Sequence, residues 1–220
     1  TASTFYLDTA SLNVERVSVS NIETDEGYVF FTDANGSGIA DEIHMDNCAL
    51  RRHRRQGVLF RDVFAFLFIT HVVVDRIGSS EGNYNSFDLT DNEGAIFLNC
   101  DATGTADGTV TSQNGYVLTD CIAVWFVRCD ADNQGNYGFY ASGCSNIYYT
   151  ECLGPLCANS SFFWTNCSYI RGVNLYSKGR DGLAYSIASV PGFAIAETGG
   201  ECSHFTLSNI QATLCTGDGV

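Results

Sequence analysis

Three carboxylates and a set of flat and polar side chains recur at fixed intervals in this chain. Asp101 and Asp130 lie 29 residues apart, and so do Asn99 and Arg128, and Phe97 and Phe126. Glu151 and Tyr149 extend these series 23 residues further on. If the interval is a structural repeat, each series becomes a column. Glu151, Asp130 and Asp101 are then candidates for acid and base, as in glycoside hydrolysis, which needs carboxyl groups roughly 5 to 9.5 Å apart. Strands stacked ~4.8 Å apart supply one such spacing, and turns two apart supply about twice that. Phe97, Phe126 and Tyr149 would form an aromatic column with Asn99 and Arg128 beside it. Flat rings next to hydrogen-bonding groups suit a sugar ring, and an exposed aromatic column equally suits a protein interface.

The elements that must position these residues also repeat. Short apolar runs end in Thr-Asp or Arg-Asp at Asp33, Asp62, Asp91 and Asp120, each 29 residues after the last. Gly143 and Asn166 continue the phase in steps of 23. Each repeat holds two runs of five or six residues, rich in aromatic and β-branched types and bounded by Gly, Asn, Asp and Ser. Such runs read as strands, and a fixed period reads as one unit stacked on itself. Side chains alternate across a strand. Asn99, Arg128 and Glu151 share a phase, so that phase is expected to face water, together with Phe97, Phe126 and Tyr149. Ile96, Leu98, Trp125, Val127, Tyr148 and Thr150 are expected inside, in line with Cys100, Cys129 and Cys152. Cys121, Cys144 and Cys167 should form a second internal ladder. At Asp33, Asp62, Asp91 and Asp120 the carboxylates are expected to accept backbone N–H bonds at turns, as Asx-turns do.

Two or three short strands per turn, a period of 21 to 30 residues, inward ladders and polar turns resemble a right-handed parallel β-helix of the bacteriophage tailspike and pectate-lyase-like superfamily. The resemblance covers roughly residues 12 to 213. It implies an all-β solenoid, and at ~25 residues per turn the length gives about eight turns, with residues 1 to 220 forming one β-helix domain, expected to be a piece of a longer chain or its ordered part. The Asn-Thr-Asp, Asp-Asp and Arg-Ile-Lys signatures of pectin-type enzymes are absent, and Arg76-Ile77-Gly78 is a partial echo. The Asp-Pro-His motif of alginate epimerases is absent too. The irregular, aromatic-rich coils look more like a tail spike or tail fibre. That resemblance implies a homotrimer on the virion tail that contacts other tail proteins and binds host surface polysaccharide, with or without cleaving it. A secreted polysaccharide lyase or hydrolase is the second reading, and a structural spike without ligand the third.

Composition narrows the partners. The net charge is −14 and Lys178 is the single lysine, which excludes a general nucleic-acid footprint. No run of eighteen apolar residues exists, so no helical membrane span is expected. The basic segment Arg51-Arg52-His53-Arg54-Arg55 could dock an anionic glycan or simply be solvated. Ten cysteines sit mostly at repeat positions, where a buried thiol acts as a small hydrophobe. Any disulfide is expected at Cys157, Cys202 or Cys215. No cofactor is expected. Calcium is conceivable at two oxygen-rich turns, Asp33 to Glu42 and Asp130 to Gly135, although turn chemistry alone accounts for both.

Overall fold

A computed structural model describes residues 3–8, 14–25, 28–33, 40–52, 57–61, 66–75, 84–104, 113–178, 192–198 and 200–213. Its strands are β1 (Ser3–Asp8), β2 (Val14–Ser20), β3 (Glu23–Asp25), β4 (Tyr28–Asp33), β5 (Ala40–Arg51), β6 (Val58–Arg61) and β7 (Phe66–Asp75). They continue as β8 (Phe87–Thr90), β9 (Ala95–Leu98), β10 (Asp101–Thr103), β11 (Tyr116–Thr119), β12 (Ile122–Val127), β13 (Asp130–Asp132) and β14 (Phe139–Ser142). The last are β15 (Ser145–Thr150), β16 (Leu153–Pro155), β17 (Phe162–Thr165), β18 (Ser168–Lys178), β19 (Phe193–Ala196) and β20 (Thr206–Thr213).

These strands form a parallel β-helix with three faces. The first sheet stacks β1, β4, β6, β8, β11, β14, β17 and β19 in that order. The second face carries β2, β9, β12 and β15, and the third β3, β10, β13 and β16. Strands β5, β7 and β18 run round the corner and join the two into one sheet. All pairings are parallel and in register, for example Phe97↔Phe126↔Tyr149 and Asp101↔Asp130. Eight is the number of strands in the first sheet. The regular part of the solenoid counts about five turns, fewer than the eight expected from length, and β1–β5 and β19–β20 extend its sheets at the two ends.

The corner between the second and third faces is one residue in left-handed conformation: His71, Asn99, Arg128 and Glu151 have φ of 53°, 52°, 51° and 56°. That residue breaks the alternation. Leu98 and Asn99 both point outward, and Cys100 then points in. Cys100, Cys129 and Cys152 are therefore buried as expected, but the strands preceding them face the other way. Phe97, Phe126 and Tyr149 are 0%, 1% and 2% exposed, whereas Ile96, Leu98, Trp125, Val127 and Tyr148 lie on the outside, half-buried, and Thr150 is exposed. The expected exposed aromatic column is the middle of the core.

Two ring stacks fill that core. Phe87, Tyr116, Phe139, Phe162 and Phe193 from the first sheet stack at 4.7–5.1 Å. Phe97, Phe126 and Tyr149 stack at 4.8 and 5.1 Å. The two stacks meet edge-on, with interplanar angles of 75–88°. Edge and stacked pairs each add ~0.5–1.5 kcal/mol beyond burial. The third face offers small residues inward, Ala102, Ala131 and Gly154, which leaves room for the rings.

The cysteines have a shared task. After a left-handed corner the next side chain points in and donates to carbonyls. Cys129 Sγ reaches Phe97 O at 3.4 Å, Cys152 Sγ reaches Phe126 O at 3.5 Å and Cys167 Sγ reaches Ala141 O at 3.4 Å. Where the inward residue is Asn92 or Gln134, the amide does the same, Gln134 Nε2 donating to Ala102 O at 2.6 Å. Cys157 belongs to this set, donating to Ala131 O at 3.3 Å. Cys157 and Cys202, two of the expected disulfide positions, are in no disulfide, and the same holds for all nine described cysteines; Cys215 lies outside the described residues.

Candidate functional site

The outer face of the first sheet changes character along the helix axis. One column of outward residues runs Leu59, Asp88, Val117, Tyr140, Phe163, Ala194. Leu59, Asp88 and Val117 are covered, at 5%, 8% and 8% exposure, while Tyr140 and Phe163 are half-exposed. Beside the more exposed rings a groove of about 420 Å³ opens. Its floor is a platform of three rings: Tyr140 stacks on Phe163 at 5.6 Å and 4°, and Tyr137 lies 4.7 Å from Phe163. Asn114, Asn136, Thr165 and Thr198 form the polar walls.

Neighbouring turns hold these walls in place. Asn85 Nδ2 donates to Asp88 Oδ2 at 2.8 Å, and Asn114 Nδ2 donates to Asn85 Oδ1 at 2.8 Å. Asn114 Oδ1 in turn accepts from Tyr137 N at 3.1 Å. Asn159 donates to Asn136, and the Thr165 and Thr198 hydroxyls are 2.9 Å apart. Burial pushes the Asp88 carboxyl above the ordinary carboxylate range, against the hydrogen bond from Asn85 and the attraction of Arg61. Burial likewise raises the Tyr137 phenol. The groove thus offers flat apolar surface beside pre-oriented amides and hydroxyls, the complement of a ring that is apolar on its faces and hydroxylated at its edge.

The residues singled out in the sequence fall elsewhere. Phe97, Phe126 and Tyr149 are core, so they bind nothing from solvent. The outward rings of the second face are one residue away: Trp125 stacks on Tyr148 at 5.4 Å and 7°, Arg171 lies 5.7 Å over Tyr148, and His44 stacks on Phe68 at 4.5 Å. Asn99, Arg128 and Glu151 sit at the corner. Asn99 Nδ2 contacts His71 Nε2 at 3.1 Å, and the Arg128–Glu151 pair is 3.6 Å apart and exposed. Such a pair contributes little to stability.

Asp101 and Asp130 face outward from adjacent strands of the third face. Burial, then the charges of Asp101 and Asp132, push the Asp130 carboxyl up to about 7. Burial, then Asp132, raises Asp101 as well. Neither these two nor Glu151 lines the groove.

Of the two oxygen-rich segments, residues 34–39 lie outside the described residues. The other is strand β13 followed by a left-handed corner at Asn133, with Gln134 turned into the core. No group of three His, Cys, Asp or Glu side chains among the described residues is arranged to hold a metal ion. In the Asp33 series, Asp91 and Asp120 occupy left-handed corners, φ 54° and 52°. Gly143 (φ 68°) leaves room for the Asp120 carboxylate, since a Cβ there would stand 2.1 Å from Asp120 Oδ1 and would make that side chain turn aside. Asn166 Oδ1 accepts from the Thr198 and Gly200 amides at 3.0 and 3.1 Å, which belong to the next turn of the solenoid and not to an Asx-turn at Asn166 itself. The Asp33 side chain and Asp62 lie outside the described residues, as do His53, Arg54 and Arg55 of the basic segment; Arg51 and Arg52 are exposed.

No protein-family model matches the chain, and no curated protein matches it in sequence. Among solved structures, the periplasmic alginate epimerase AlgG is similar at 8% identity and a TM-score of 0.51, with 91% of this chain and 60% of that one covered. A point mutant of the same epimerase matches at 7% identity and 0.51, covering 88% and 50%. Tailspike protein 3 of bacteriophage CBA120 matches at 11% identity and 0.42, covering 92% and 43%. The chain therefore spans about half to three fifths of the epimerase it resembles. At these identities the likeness to the epimerase shows a shared parallel β-helix fold. No helix of the described residues is long and apolar enough to cross a membrane.

Proposed function

We propose that this chain is a polysaccharide-binding parallel β-helix that holds its glycan in the groove of the first sheet. The observation that carries this is the ring platform of Tyr137, Tyr140 and Phe163 walled by Asn114, Asn136, Thr165 and Thr198. Rigid aromatic surface with few fixed polar groups is the usual composition of a small-molecule site. In its finer form, following the sequence resemblance, the chain is a component of a bacteriophage tail spike or fibre that reads host surface polysaccharide outside the cell. The reading favours binding over cleavage, since Asp101, Asp130 and Glu151 lie off the groove. The outward rings of the second face, Trp125 and Tyr148, are on this reading a side-by-side contact in a homotrimer.

The test is an array of bacterial surface polysaccharides probed with the full chain and with Tyr140→Ala and Phe163→Ala. Loss of one platform ring should weaken binding about tenfold, the equivalent of ~1.4 kcal/mol. Binding that is indifferent to both changes would move the site elsewhere. Release of reducing ends from a bound glycan would favour the secreted hydrolase or lyase, and no binding to any glycan would leave the structural spike.

A further inference from the structure

We propose that the groove selects an uncharged polysaccharide and discriminates against polyuronates, an inference that rests on the groove being a glycan site. The eight described residues that line it, Asn114, Val117, Asn136, Tyr137, Tyr140, Phe163, Thr165 and Thr198, include no cation. A uronate carboxylate brought against half-buried rings loses hydration. It recovers that cost only from a cation or from several N–H donors. Here the amides are already engaged in part, Asn114 with Asn85 and Tyr137, and Asn136 with Asn159. In these bonds Asn114 uses one N–H and one oxygen lone pair and Asn136 one oxygen lone pair; the rest of each amide, both donor and acceptor, suits hydroxyl groups, which both donate and accept.

The surrounding charge acts in the same direction. Asp88 stands on β8 in the outward column that continues through Val117 on β11 to Tyr140 and Phe163. It is nearly buried, so its field toward the groove is weakly screened when it is ionised. Arg61, the cation that attracts it, is on β6, two strands from Val117 and itself exposed. The whole chain carries −14, which slows the approach of any polyanion. The fold likeness to an alginate epimerase therefore does not extend to this groove's chemistry, because alginate is a polyuronate.

The experiment compares hexasaccharide probes by calorimetry on the full chain: uncharged gluco-, galacto- and manno-oligosaccharides against alginate and polygalacturonate oligosaccharides. At least one uncharged probe should bind about tenfold or more tightly than either uronate, in a manner lost in Phe163→Ala. The ratio should narrow several-fold in Asp88→Asn and, in the unaltered chain, at 0.5 M salt, where the Debye length falls to only a few ångströms. A uronate that binds as tightly as the uncharged probes, and still depends on Phe163, overturns the selectivity while leaving the groove as a glycan site. Absence of any Phe163-dependent binding overturns both.

Discussion

At Asn99, Arg128 and Glu151 the backbone turns left-handed, and at each the two consecutive side chains ending there point outward. The alternation within each strand was legible in the sequence, and so was the burial of Cys100, Cys129 and Cys152. The sign of the alternation was not. Carrying one phase through the corner inverted the strand before it. Asparagine is the residue that tolerates this conformation best, and Asn21, Asn47, Asn99, Asn174 and Asn209 share the column. That run of asparagines was the available signal, but arginine and glutamate at the central turns hid it. The corrected faces give a direct expectation. Val124 is fully buried and Val127 lies on the outside, three residues later on the same strand. Val124→Asp should abolish the cooperative thermal transition, because it buries an unpaired charge. Val127→Asp should cost about 0.5–1 kcal/mol and shift the midpoint by a few degrees. Circular dichroism melts decide it, and equal damage from both would reject the assignment.

The strands are short, and columns rather than strands are the working elements. A column of inward thiols, an amide at Asn92 or Gln134, and a column of left-handed corners each repeat one local solution along the axis. The third face carries a less comfortable column: Asp101 beside Asp130, with Asp132 and Asp75 nearby. The sequence offered these carboxylates as a catalytic pair, on spacing alone; burial could not be read from spacing, and burial is the main cause of their raised pKa values. The consequence for stability has a definite sign. A carboxyl that titrates near 7 when folded and in the ordinary range when unfolded favours folding in its protonated form. Its contribution is fully present below the unfolded value and is lost as pH rises through about 7. Asp130→Asn cannot ionise, so the variant should gain stability relative to the parent as pH rises from about 4 to 8. Urea unfolding midpoints at several pH values measure this, and a difference that stays constant with pH would contradict the buried titration.

On the scale of the whole molecule, the repeat period announced the solenoid because every turn must present similar residues to its neighbours. The groove was not announced. Asn114, Asn136 and Tyr137 come from the corners, Tyr140 and Phe163 from two strands, and Thr198 from beyond β19. Only stacking brings them together: Tyr140 and Phe163 keep the 23-residue step of the repeat, but Asn114, Tyr137 and Thr198 belong to no motif of their own. The same stacking separates the two tryptophans. Trp164 is wholly inside, its Nε1–H donating to the Tyr149 hydroxyl at 3.3 Å, with Phe162 and Phe193 against its ring. Trp125 lies on the outer second face against Tyr148. The chain therefore contains two tryptophan fluorophores, one reporting the interior and one the surface. Acrylamide should quench the longer-wavelength part of the emission and leave a blue-shifted remainder from Trp164. Trp125→Phe should abolish the quenchable part. Light from Trp125 that changed with protein concentration, while that from Trp164 did not, would time the meeting of two copies without any label.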